Sequence, residues 1–234
     1  MSTKVVADHA PTGGVMLVER LMAINRIFFE NNPWPEGHPV KSFKWGAKLK
    51  DDYVWFDFHL ESADYYSERD IEDDEDLEYE TDWAAPIVWG NYHNCTLSTN
   101  YWHDGGFKVC KASEYSPEFL DGLELSVDMH PEQIKEWDEL AFHIYLLGHD
   151  AAACHKIRFV RNPSNGKFSI FWVGRIAQAY IGDYEFRHNF KVNLSHCDMP
   201  KVEQSITSQS TRTAKFPRLL AWLRHLMPKN TKIW

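Results

Sequence analysis

Side chains able to do chemistry gather most densely in one stretch: Tyr92, His93, Asn94 and Cys95, then Tyr101, Trp102, His103 and Asp104, then Cys110. Zinc takes four nitrogen or sulfur donors in a tetrahedron, usually offered as close pairs, and His93 with Cys95, joined by His103 and Cys110, would supply such a set. Positions 93 and 95 share a face if they lie in a strand. The spacing nevertheless matches no zinc finger or ribbon, so no metal is assigned. Read as acid–base chemistry, the same stretch pairs His103 with Asp104 and leaves Cys95 or Cys110 as nucleophile. A thiol needs a neighbouring imidazole or other cation to ionise near neutral pH, and no nucleophile elbow or papain-type cysteine signature accompanies these residues. Gly-rich phosphate loops, dinucleotide fingerprints and metalloprotease motifs are absent from the chain, so no cofactor is expected.

A second group of candidates is the set of histidines His143, His149, His155, His188 and His196. His188 falls on the apolar face of an alternating segment, where a histidine is ordinarily a hydrogen-bonded core residue. A metal or general-base site would arise there only if His188 met His143 or His155 across neighbouring strands.

Charge is the most uneven property of the sequence. Residues 68–82 hold ten carboxylates against Arg69, which accounts for the whole net charge of −9, while seven bases oppose one acid from Lys201 onward. Like charges packed this densely repel, so an exposed acidic loop over 68–82 is expected. Asp70, Glu72, Asp73, Asp74, Glu75 and Asp76 would steer a basic partner, with Tyr79 and Trp83 as anchors. That charge disfavours nucleic acid at this face, and the basic tail is too thinly spread to be a phosphate footprint.

The elements that must position these residues are mostly strands. Tyr184, Phe186, His188, Phe190, Val192 and Leu194 alternate with polar residues, a period of two that a strand satisfies and a helix does not. Phe168, Ile170 and Trp172 alternate before them, and Ile157 and Phe159 earlier still, with joints at Pro163–Gly166 and Gly182-Asp183 and a bulge or bend at Gly174. Phe43 to Leu49 and Val54 to Leu60 alternate around a Lys50-Asp51-Asp52 turn and form a hairpin. Further strands are expected at Ile87 to Trp89, Phe107 to Cys110, Leu123 to Met129 and Leu140 to Leu146, with a helical turn from Pro131 to Glu139. An apolar face over Val15 to Glu30 predicts an N-terminal helix, and Phe216 to Met227 a short basic C-terminal one.

The fold class is therefore mainly β, an antiparallel meander arranged as a sandwich, barrel or bent sheet, or α+β if the helices count heavily. The organisation expected is a flexible leader over 1–14, one mainly-β domain over 15–200, and a polar linker with its helix over 201–234. Ten Trp, ten Tyr and fourteen Phe suit such a fold and leave rings to spare for a binding face. Four widely spaced cysteines are no disulfide framework, and no apolar run approaches the roughly 18 residues of a membrane span, so a cytoplasmic protein without membrane association is expected. The reading taken forward is a non-enzymatic protein-binding module that occludes a basic partner, in the manner of an inhibitor or an immunity protein. The alternatives are a hydrolase-type enzyme or metal site using the His93/Cys95/His103/Asp104 region, and a carbohydrate-binding β-sandwich.

Overall fold

The computed structural model describes residues 6–8, 25–70, 78–99 and 105–204. Its longest hairpin joins β3 (His38–Lys50) to β4 (Tyr53–Ser62). Asp51 and Asp52 both take positive φ, 50° and 62°, the backbone of a two-residue turn whose twist suits the flanking strands. Along β4 the burial alternates strictly: Val54, Phe56, Phe58 and Leu60 point inward, while Tyr53, Trp55, Asp57 and His59 point outward. Alternating apolar residues thus close a surface with one dry face.

That surface is a barrel. The other strands are β1 (Val6–Asp8), β2 (Arg26–Phe29), β5 (Thr96–Thr99), β6 (Phe107–Lys111), β7 (Glu124–Val127), β8 (Phe142–Tyr145), β9 (His149–Arg161), β10 (Phe168–Ala177), β11 (His188–Cys197) and β12 (Val202–Gln204). Around the wall the order is β9-β10-β11-β2-β3-β4-β5-β8, every pair antiparallel, and β8 pairs back onto β9 through Ile144 and Asp150. Closure removes both open edges of these eight strands. β7 lies beside the second half of β9 and carries β1, β6 lies beside the first half of β4, and β12 runs parallel to β3.

Rings fill the interior. Phe58 lies among Phe107, Phe142, Phe159 and Trp172, with centroids 5.2–6.4 Å away. A bulge adjusts the wall around them. Lys156 faces Val173 and Ala153 faces Arg175, so Cys154 and His155 together oppose Gly174. Cys154 takes φ 55°, and the inward side of β9 switches from Ala152 to His155, Ile157 and Phe159. A Cβ on Gly174 would lie 2.6 Å from the Phe190 ring and 2.8 Å from His155 Nδ1, which is why glycine stands there.

Several expectations change. Arg26–Phe29, read as the end of a helix over 15–30, is β2: Ile27 and Phe29 enter the core as the strand pairs with β11 and β3. Neighbouring strands offering unpaired backbone override a helical apolar pattern. Of the leader expected over 1–14, residues 6–8 form β1 beside β7, and residues 1–5 and 9–14 lie outside the described residues, as do residues 15–24 and the Phe216–Met227 helix. Ile87-Val88-Trp89 is not a strand but part of helix α1 (Pro86–Gly90), which buries Trp89 and leaves Ile87 58% exposed. Pro86 pre-sets a helical φ and cannot donate to a sheet. A second short helix, α2 (Pro117–Leu120), is capped by the Ser116 hydroxyl. Tyr184 to Arg187 precede β11 instead of extending it, and the sheet is a closed barrel, not a meander or a sandwich.

Candidate functional site

The first sequence-predicted site does not assemble among the described residues. His93 is exposed, takes φ 61°, and has Nδ1 3.6 Å from Asp64 Oδ2. Cys95, two residues on, is fully buried, and burial pushes its thiol pKa well up. The left-handed turn at His93 breaks the strand geometry that would have set the two side by side. Cys110 is buried on β6 with its thiol pushed up to about 11, so neither sulfur is primed as a nucleophile. His103 and Asp104 lie outside the described residues, among which no three His, Cys, Asp or Glu side chains gather to hold a metal.

The acidic anchor region is divided. Asp70 is exposed and Glu72 to Asp76 lie outside the described residues, while Tyr79 is half-buried. Trp83 is only 2% exposed: its Nε1 donates to the Glu30 carbonyl at 2.8 Å and its ring stacks on His188 at 3.9 Å. It belongs to a plug with Trp34, His38, Tyr65 and Trp89 that covers one end of the barrel core, so its ring is not offered to a partner. Within the plug Asn32 Nδ2 donates to His38 Nε2 at 3.2 Å, and burial, with Arg26 nearby, lowers the His38 pKa to about 4.

The histidines also separate. His155 lies inside the barrel, accepting a 3.1 Å hydrogen bond from Trp172 Nε1 at its Nδ1, and burial lowers its pKa to about 3. His188 faces Trp83 instead. His143 stands on the outer wall beside Ser98, which contacts His59 Nδ1 at 2.9 Å; burial lowers the His143 pKa, helped by the His59 and His149 charges.

A groove that the sequence reading missed sets exposed rings beside charged side chains. The 129–141 loop leaves β7, makes two 3-10 turns at Pro131–Gln133 and Trp137–Glu139, and returns into β8. It lies over small residues on the outside of the barrel: Ala151, Ala153 and Ala177 pack with Leu140 and, at the edge, Ile134, Cys154 and Phe186. Alanines let the loop approach closely, so the apolar floor lies outside the main core. Trp137 stacks on Tyr184 at 5.7 Å and 27° and meets Phe186 at 5.6 Å, yet Trp137 and Tyr184 remain 42% and 60% exposed. Glu132, Glu136 and Glu185 line the groove with Lys135 and Arg175. Arg187 is engaged by Asp183 and Glu185 at 3.1 Å each, and the loop itself carries four carboxylates (Glu132, Glu136, Asp138 and Glu139) and one lysine, Lys135. Burial raises the Cys154 pKa; Arg175 opposes this, and Glu132 and Asp128 add to it.

The sequence did carry a signal for this site. A tryptophan set among four carboxylates with no period-two pattern is poorly suited to a core strand. No family model, curated protein or solved structure matches the chain. No helix among the described residues is long and apolar enough to cross a membrane.

Proposed function

We propose that this protein is a non-catalytic recognition module that holds a basic, partly apolar segment of a protein partner in the Trp137–Tyr184–Phe186 groove. The observation that carries the reading is the exposed ring stack itself, set on an apolar floor beneath carboxylates. Large rings that face water next to an apolar floor act as binding anchors, and a lysine or arginine over an indole face adds a cation–π attraction of about 0.5–2 kcal/mol. The carboxylates Glu132 and Glu136 would select cations and speed encounter. The acidic run over 68–82 adds long-range attraction in this scheme, while the anchoring moves from Trp83 to Trp137. A protein acting this way works by occupying its partner's basic surface, as an inhibitor does.

An array of peptides varying in Lys/Arg and aliphatic content tests this, probed with the full chain and with Trp137→Ala. Salt-sensitive binding to basic-aliphatic peptides, weakened at least about tenfold in the variant, is the expected result. Peptide binding indifferent to Trp137 removes the groove from the function. The exposed indole face also suits stacking on a sugar ring, and binding to an oligosaccharide array alone, lost in Trp137→Ala, would select that reading.

A further inference from the structure

The loop that carries Trp137 is tied at its base by one side chain. Asp128, at the end of β7, accepts the Ala141 backbone N–H at Oδ2 (2.7 Å), joining the two ends of the loop. Its own carbonyl accepts the Cys154 N–H at 2.9 Å, so the β9 bulge fixes it from below. Asp128 and Cys154 both take left-handed backbone, φ 52° and 55°, which a non-glycine residue holds only where its surroundings impose it. Asp128 is 6% exposed, and Oδ1 is buried with no hydrogen-bond partner among the described residues. We propose that Asp128 is a proton-responsive clamp that holds the 129–141 loop, and so the groove, in shape under mildly acidic conditions and releases it as the carboxyl ionises.

The physical reason is the cost of a buried anion. Ionised, the carboxylate has a single N–H donor and one bare oxygen in a dry site; protonated, most of that cost disappears. Of the titratable and charged groups nearby, Cys154 on β9 is the one that interacts with Asp128, Arg175 on β10 and Glu132 on the loop act on that thiol, and His130, two residues along the chain, is engaged with Glu132 at 3.3 Å. Among the described residues no cation pairs with Asp128. Burial pushes its carboxyl up to about 6, with the Ala141 N–H opposing. Opening the loop returns the carboxyl to water and its ordinary range near 3.9, so proton binding favours the closed loop. The closed arrangement therefore gains stability as pH falls through about 6 and gains no more below the ordinary carboxylate range. The consequence for partner binding rests on the groove reading above; the clamp itself does not.

Hydrogen exchange at the Ala141 amide of the full chain, corrected for its intrinsic rate, reads the opening directly. The open fraction should rise about tenfold from pH 5 to pH 7.5. Asp128→Asn keeps an acceptor but cannot ionise, and should flatten this slope, with its thermal unfolding recorded to show that it folds. His130→Gln removes the neighbouring imidazole and should retain the slope. A slope that survives Asp128→Asn, or vanishes in His130→Gln, overturns the proposal. The side-chain carboxyl 13C shift of Asp128 in the unaltered chain needs no variant: titration near 6 supports the clamp, and titration in the ordinary range overturns it. No peptide binding by the unaltered chain, with the slope intact, would dismiss the groove as a partner site and leave the clamp standing.

Discussion

Two clusters of tryptophan-centred rings meet on either side of residues 184–188, and they are put to opposite uses. Tyr184 and Phe186 lie against Trp137 in the groove, whereas His188 stacks on Trp83 in the plug. In the plug the indole N–H groups of Trp83 and Trp89 donate to the carbonyls of Glu30 and Trp83, both at 2.8 Å, and the rings pack on Phe29 and Tyr65. Buried rings whose polar atoms are satisfied by backbone are structural. In the groove the rings support one another but leave a face to water, on a floor of Leu140 and a few alanines edged by Ile134, Cys154 and Phe186. Residue type does not separate the two; how completely the surroundings cover each ring does.

The largest effect should come from the plug. Trp89→Ala removes a fully buried ring and should cost about 3–5 kcal/mol in denaturant unfolding, whereas an equal loss in Trp137→Ala would erase the distinction. Next comes acidity, where the two regions should respond with opposite sign. His38 has its pKa depressed to about 4, so its contribution is complete above about 6.5 and disappears as pH falls towards 4, at most roughly 3 kcal/mol. His38→Gln should flatten that part of the stability profile. Plug amides should then exchange faster on acidification through this window, while the Ala141 amide, tied by Asp128, exchanges more slowly.

Gly174→Ala probes the wall between the regions. Its Cβ would press on Phe190 and His155, and a loss of about 1–3 kcal/mol is expected from thermal unfolding. Smallest should be Trp137→Ala, which should shift stability by no more than about 0.5–1 kcal/mol, because much of the ring is already in water. Its effect belongs in the peptide-binding readout instead.

Much of the barrel wall was legible as alternation. The β3–β4 hairpin with its Asp51-Asp52 turn, the β9–β10 pair and the bend at Gly174 are local consequences of side-chain period and turn chemistry. Arg26–Phe29 was not legible, because its apolar spacing suits a helix as well and only pairing with β11 and β3 selects the strand. Ile87 to Trp89 failed for a related reason: three apolar residues carry no period, and Pro86 starts a helix instead.

The candidate site was less legible still. His93 and Cys95 lie two residues apart in the chain, but the positive φ at His93 sends one to solvent while the other enters the core. Conversely, Trp137 and Tyr184 are far apart in sequence and meet only because the loop folds down over Ala151, Ala153 and Ala177. The amino-acid order by itself determined a mainly antiparallel β architecture, its best hairpins and its uneven charge, since these depend on neighbours two to four residues away. Barrel closure, the burial of Trp83, the exposure of Trp137 and the placement of Asp128 beneath its loop were decided by tertiary structure. Each is a contact between distant segments, set by which surfaces remain uncovered once the strands have paired.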